Sequence, residues 1–427
     1  MNIVVGCLVI MLTLLLLSVP VFASIISGVA FYFAMNTTVP TQIIAQRMIS
    51  GVESIPLLAI PFFVCAGIVM NYSGITKRVM DFCVVLTRRM YGGLAQVNVL
   101  LSTLMGGMSG SNLADAAMEA KMLVPEMEKA GFSNAFSSVV TATSSIITPL
   151  IPPSIGLIIY GSLANISIGK LFVAGISPGL LLCLSMMILV TIISKKRGYQ
   201  PPATEPLPKG AFWEAFKKAA APLCMPVIII GSIRCGICTA TEAGSVAILY
   251  SFILGIVYRE LNARIIFKVM KETVITTAGI LLIVSTASSF GWVLTKEGVP
   301  QFLANVVLGA ISNKYVFMLI VNFLLLIMGM FMEGTAIQLI LVPLLAPIAV
   351  SMGIDPIHFA IAFAFNLGIG CLSPPLGTVM FVTCGITKCK IKDFVIEAIP
   401  FYIMAIICLL LLIFVEPLSL FFVNLIY

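Results

Sequence analysis

The chain is a succession of long apolar runs interrupted at a few places by glycine, proline and small polar residues. The runs are rich in Leu, Met and Ala and lack the two-residue alternation of a β-barrel, so they predict membrane-spanning helices. The first covers residues 3 to 35 and reads as a retained span rather than a cleaved leader, because no basic segment precedes it. A more polar piece, Thr37 to Ser54, carries Gln42, Gln46, Arg47 and Glu53 among Ile and Met and predicts an amphipathic helix in the interface. Spans follow near 55–71 and 79–105, then an interrupted region from 106 to 168, then a clean run from 171 to 193.

The tract Lys195-Lys-Arg-Gly-Tyr-Gln-Pro-Pro-Ala-Thr-Glu-Pro-Leu-Pro-Lys209 is basic and proline-rich, which predicts a cytoplasmic linker at the midpoint of the chain. The two sides of this linker align at a single offset. Pro152-Pro153 matches Pro374-Pro375 (374 − 152 = 222), and the same shift superposes Gly107 on Gly329, Pro125 on Pro347, Lys170 on Lys392 and Pro178 on Pro400. The chain therefore reads as a duplication, with a first repeat over 1–194, the linker over 195–210 and a second repeat over 211–427.

Composition narrows the class further. Of 427 residues, 60% are hydrophobic and 10% charged, which excludes an ordinary soluble domain. The net charge of +7 in such a chain encodes orientation in the bilayer, and no basic, aromatic-interleaved tract points to nucleic acid. Eleven cysteines lie mostly in apolar stretches, and the lone C-x-x-C of Cys235 and Cys238 has no second ligand pair to make a zinc site. No nucleotide-binding motif is present, so any transport would be secondary-active.

Chemistry concentrates where the helices must break. Consecutive prolines remove two backbone donors and clash with the preceding turn, so Ser144 to Ser154 and Asn366 to Thr378 cannot be continuous helices. Broken backbone at membrane depth is tolerated where it lines a cavity, and its freed carbonyls suit a cation. Each break has a glycine-rich partner upstream: Gly106-Gly-Met-Ser-Gly-Ser-Asn-Leu-Ala-Asp-Ala116 and Gly329-Met-Phe-Met-Glu-Gly-Thr-Ala336. These predict tips of re-entrant hairpins, whose hydroxyl, amide and carbonyl oxygens suit sodium and whose helix N-termini attract a carboxylate. The hairpins fall at 92–117 and 314–350, and the broken helices at 131–168 and 355–387. Asp115, Glu333, Glu242 and Glu53 are the candidate intramembrane acids; Glu242 serves equally well as a cap at a helix start, with Arg234 near enough to pair with it or face an anion. His358 follows Asp355 and Pro356, a helix-start signature that predicts a structural role.

The tip Gly-Met-Ser-Gly-Ser-Asn-Leu-Ala-Asp-Ala, the break Pro149-Leu-Ile-Pro-Pro-Ser-Ile, Thr241-Glu-Ala, and the stretch from Gly-Ile-Asp-Pro-Ile-His-Phe to Ser373-Pro-Pro-Leu-Gly resemble the large membrane subunit of tripartite ATP-independent periplasmic (TRAP) transporters over essentially the whole chain. The resemblance implies an all-α polytopic protein of the inner membrane, built from two inverted-topology repeats and working as an elevator. It implies sodium-driven import of an organic acid, with two or more sodium ions, a periplasmic substrate-binding protein that delivers the cargo and a small four-helix membrane subunit. Carried over by motif, Ser109, Ser111, Thr143, Ser144 and Pro149 would form one sodium site, and Gly334, Thr335, Asn366, Gly370 and Ser373 its counterpart. Asn112, Thr148, Pro152, Glu333 and Thr378 would face substrate, with Asp115, Pro153, Glu242, Pro374 and Pro375 in structural or gating roles. Asn112 stands where Ala is common in such proteins, and Thr148 where Gly is common.

Two other readings use the same residues. A stand-alone sodium/carboxylate symporter would need neither partner. Gly107-Met-Ser-Gly110 also matches the G-x-S-G of intramembrane serine proteases, with Ser109 as nucleophile and His358 as the only imidazole, but this leaves the duplication unexplained.

Overall fold

A computed structural model describes residues 2–17, 19–201, 210–311 and 313–427. The first apolar run folds as two helices, α1 (Asn2–Leu16) and α2 (Val21–Met35), which pack together across a turn at Pro20. The polar segment forms α3 (Gln42–Ser50), which buries none of its residues, as suits a helix lying on an interface. A short 3-10 turn, Ile55–Leu58, leads into α4 (Ala59–Tyr72). The expected single span over 79–105 is instead two helices, α5 (Ile75–Thr87) and α6 (Gly93–Ser109). Between them lie Arg88 and Arg89, and Gly92, just before α6, takes a left-handed φ of 70°.

The interrupted region resolves into α7 (Asn112–Met122), α8 (Val124–Lys129), α9 (Asn134–Ser144) and α10 (Ile155–Ala164), followed by the long α11 (Ile168–Arg197). Beyond the linker come α12 (Ala211–Arg234), α13 (Ala240–Val257), α14 (Ala263–Lys296), α15 (Val299–Ala310) and α16 (Lys314–Phe331). The chain continues through α17 (Gly334–Ser351), α18 (Pro356–Leu372), α19 (Thr378–Thr387), α20 (Ile391–Phe414) and α21 (Pro417–Ile426). Among the described residues, eight helical stretches are long and apolar enough to cross a bilayer: 55–72, α11, α12, α13, α14, α16, α17 and α20.

The offset of 222 residues (374 − 152) recurs in the elements. It carries α6, α7, α9, α10 and α11 onto α16, α17, α18, α19 and α20, with starts agreeing to within one residue.

Burial separates an inner set of helices from an outer one. Every residue of α18 from Ile357 to Leu372 is buried, as is every residue of α9 from Phe136 to Ser144, so both helices are enclosed by protein on all sides. The outer helices show the opposite: Val227 on α12, Leu249 on α13 and Phe267 on α14 are exposed, which fits contact with lipid. The inner helices interleave the two halves. Helix α7 packs on α19, α10 on α17 and α9 on α19. A Cβ on Gly368 would lie 2.5 Å from Ile146 Cγ2, so α18 presses directly on the chain after α9.

Candidate functional site: a cavity between two broken helices

Both proline pairs interrupt their helices. Helix α9 ends at Ser144, and tight bonds from Ile147 N to Ser144 O (2.9 Å) and from Leu150 N to Ile147 O (3.0 Å) turn the chain toward Pro152-Pro153. Helix α10 then restarts under a Ser154 cap, whose Oγ accepts from Leu157 N at 3.3 Å. In the second half α18 ends at Leu372, and Leu376 N donates to Met330 O of α16 at 3.1 Å. Helix α19 then starts behind Gly377, which supplies no side-chain cap. A Cβ at Gly377 would sit 2.6 Å from Ser373 O and 2.8 Å from Cys371 O, so the turn admits only glycine. Both Pro-Pro peptides are cis.

The glycine-rich tips come to these breaks. The α6–α7 turn is held by Ser111, whose Oγ caps α7 through Ala114 N, and the Gly110 Cβ position lies 3.2 Å from Pro153 O. The α16–α17 turn lies against the second break, where Gly329 and Gly370 meet backbone to backbone. Small residues are what permit such approach. Tips and breaks together enclose a cavity of about 250 Å³, to which α14 adds Thr276 and Ile280. Four helices begin at it: α7, α10, α17 and α19.

Of the residues expected at the site, Ser111, Asn112, Pro149, Glu333, Gly334, Thr335 and Thr378 line this cavity. Glu333 is exposed toward it and accepts from Thr335 Oγ1 at 2.6 Å. Thr143, Ser144, Thr148, Pro152 and Pro153 are buried behind the first break, and Asn366, Gly370 and Ser373 on or beside α18, none of them on the cavity wall. Pro374 is half-buried and Pro375 exposed at the second break. The side chain of Ser109 lies outside the described residues. Glu242 is elsewhere: it closes a capping box with Thr239 at the start of α13, accepting from Thr239 N at 2.7 Å. Arg234 turns instead to the ring of Tyr427, 5.1 Å from its centroid. His358 is buried, with Nδ1 2.6 Å from Ser419 Oγ, and ties α18 to α21.

Among the buried oxygens without partners, the neutral Thr143 Oγ1 and Asn366 Oδ1 lie behind the breaks and fit a cation chemically. The amide of Asn366 donates to Asn322 Oδ1 at 3.0 Å, which orients its free carbonyl oxygen. In the first half Asn98 accepts from Ser144 Oγ, beside Thr143, at 3.0 Å. Neutral oxygens of this kind, with carbonyls freed by a helix break, are suitable ligands for a hard monovalent cation.

Three residues at or near the site escaped the sequence reading. Gln338 lines the cavity, is 4% exposed, and its Oε1 has no partner; its one signal was being the sole polar residue between Ala336 and Pro347. Glu119 is fully buried one turn beyond Asp115, and this spacing could have found it. Thr276 gave no signal, because only tertiary packing brings α14 to the cavity.

This arrangement, an all-α protein with helices long and apolar enough to span a bilayer and two broken helices around a cavity, is consistent with a membrane transporter. The chain belongs to the family described as the tripartite ATP-independent periplasmic transporter, DctM component, whose family model matches residues 8–418. It is 43% identical over 376 residues to the sialic acid TRAP transporter large permease protein SiaM of Vibrio cholerae, covering 87% of each chain. It is 35% identical over 398 residues to the 2,3-diketo-L-gulonate TRAP transporter large permease protein YiaN of Escherichia coli, covering 93% of each. It is also 33% identical over 431 residues to the C4-dicarboxylate TRAP transporter large permease protein DctM of Rhodobacter capsulatus, covering 97% of each. Among solved structures, the YdaH transporter of Alcanivorax borkumensis shares the fold, with a TM-score of 0.62 at 14% identity over 86% of each chain. The chain is thus a multi-pass inner-membrane transporter subunit and not an enzyme, which removes the protease reading of Ser109 and His358.

Proposed function

We propose that this subunit imports an organic acid by sodium-coupled secondary transport, taking its cargo from a periplasmic substrate-binding protein and working beside a small four-helix membrane subunit. One observation carries the reading: both glycine-rich tips and both proline breaks, one set from each half, open on one cavity. Helix N-termini suit the carboxylate of the cargo, and the unpartnered oxygens of Thr143 and Asn366 suit sodium behind it. In this reading the two repeats, 1–194 and 211–427, are inverted in topology about the cytoplasmic linker 195–210. The hairpins 92–117 and 314–350 and the broken helices 131–168 and 355–387 form a transport body that moves as an elevator against the outer helices.

The test is uptake into vesicles holding this chain with its small subunit, using N-acetylneuraminate, 2,3-diketogulonate and succinate with and without binding protein. Uptake should require an inward sodium gradient and the binding protein. Robust uptake by this chain alone would favour the stand-alone symporter, and uptake indifferent to sodium would end the coupling assignment.

A further inference from the structure

The role of a second chamber rests on that transport reading. A cavity of about 350 Å³ lies directly beyond the first along three of the same helices. The lining passes from Gly156 to Ser162 on α10, from Gln338 to Leu339 on α17 and from Ile280 to Ser288 on α14.

Its depth follows from charge and length. Arg259, Arg264, Lys268 and Lys271 put the start of α14 on the cytoplasmic side. Thr276 of the first cavity is 12 residues beyond Arg264 (276 − 264) and Ser288 is 24 beyond it (288 − 264), about 18 and about 36 Å along the helix at 1.5 Å per residue. A hydrocarbon core of about 30 Å then sets the first cavity near mid-membrane and the second chamber at the periplasmic edge. Cargo arriving from the periplasm meets this chamber first.

The two spaces differ in chemistry. No Asp, Glu, Lys, Arg or His is among the described residues of the outer chamber, whereas Glu333 lines the inner cavity. The hydroxyls of Ser54, Ser162 and Ser288 are accessible on its wall and make no hydrogen bond to the described residues. Asn165, exposed at the left-handed end of α10 with φ 54°, adds an amide. These groups donate to a carboxylate and accept from a hydroxyl, and neutral bonds of this kind are individually weak enough to let the acid move on.

We propose that the outer chamber is an entry subsite, in which Ser162 and Asn165 on α10, facing Ser54 and Ser288, hold a hydroxylated organic acid before it reaches the inner cavity.

The experiment uses vesicles of this chain with its small subunit and binding protein, and whichever of N-acetylneuraminate, 2,3-diketogulonate and succinate the parent imports. The double variant Ser162→Ala with Asn165→Gly, in which glycine keeps the left-handed turn, should raise the concentration of loaded binding protein for half-maximal uptake roughly threefold to tenfold. Its sodium curve and melting temperature should stay at the parent's values. Ser162→Phe fills the chamber and should remove most uptake; if that variant does not fold, the double variant decides alone. An unchanged loading curve in the double variant, a shift in its sodium curve instead, or parental uptake by folded Ser162→Phe overturns the entry subsite and leaves the transport reading standing. If the parent imports none of the three acids on a sodium gradient, both fall.

Discussion

Gly329 and Gly370 touch through their backbones: a Cβ built on either lies 2.7 Å from the Cα of the other. The contact locks the end of α16 to the last turn of α18, just before the second break. Either alanine variant must push backbone apart, since no flexible side chain is there to yield. We expect Gly329→Ala and Gly370→Ala each to destabilise the protein by about 1–3 kcal/mol and to lower uptake, read by thermal melting in detergent and by vesicle assay. Wild-type melting in both would show that the helices are free to separate.

Asn366 tests the proposed sodium site. Its amide is fixed by Asn322 while its Oδ1 is left over, and Ser373 beyond it donates to Ile369 O at 2.8 Å, keeping its oxygen lone pairs available. Asn366→Ala and Ser373→Ala should raise the sodium concentration for half-maximal uptake several-fold, more than they change the acid concentration required. Equal sodium curves for both variants and the parent would remove these residues from the ion site.

Glu119 tests the interior. Asp115 accepts from Thr148 Oγ1 at 2.6 Å and Glu119 from Ser102 Oγ at 2.7 Å, yet each carboxylate has a second oxygen with no partner. Glu119→Gln retains an acceptor for Ser102 in a side chain that is neutral at every pH, so its melting temperature should equal or exceed the parent's. Glu119→Ala leaves a void and a hydroxyl without its acceptor and should cost about 2–4 kcal/mol. A clear drop in melting for Glu119→Gln would mean that the carboxyl group itself is required at this position.

Thr239 serves as the control far from the cavity. Thr239→Ala opens the capping box of α13 and should cost about 1 kcal/mol, with sodium and acid dependence unchanged. A shifted sodium curve would place the start of α13 in the transport cycle.

Much of the fold was legible because it is written in residues with few alternatives. Two prolines in an apolar run must break a helix, and a shared spacing between two such pairs marks a repeat; the element boundaries obey that offset. The Gly-Ser tips were legible for a similar reason, since small residues in an apolar context imply close approach. The division between α5 and α6 was missed because apolar content alone does not register a turn made by Arg88, Arg89 and one left-handed glycine. Glu242 could be weighed but not decided, because a cap and a buried acid share the same local sequence, and only the Thr239 geometry separates them. The place of Gln338 on the cavity wall was hidden because the face a helix turns to a cavity depends on partners distant in the chain.

The cross-packing of α7 on α19 and α10 on α17 makes each half of the chain depend on the other. Neither half encloses a chamber by itself, since each lends its short helices to the other's framework. Severed at the linker, the fragments should be active only when made together, as two interlocked hands are needed to form one cup.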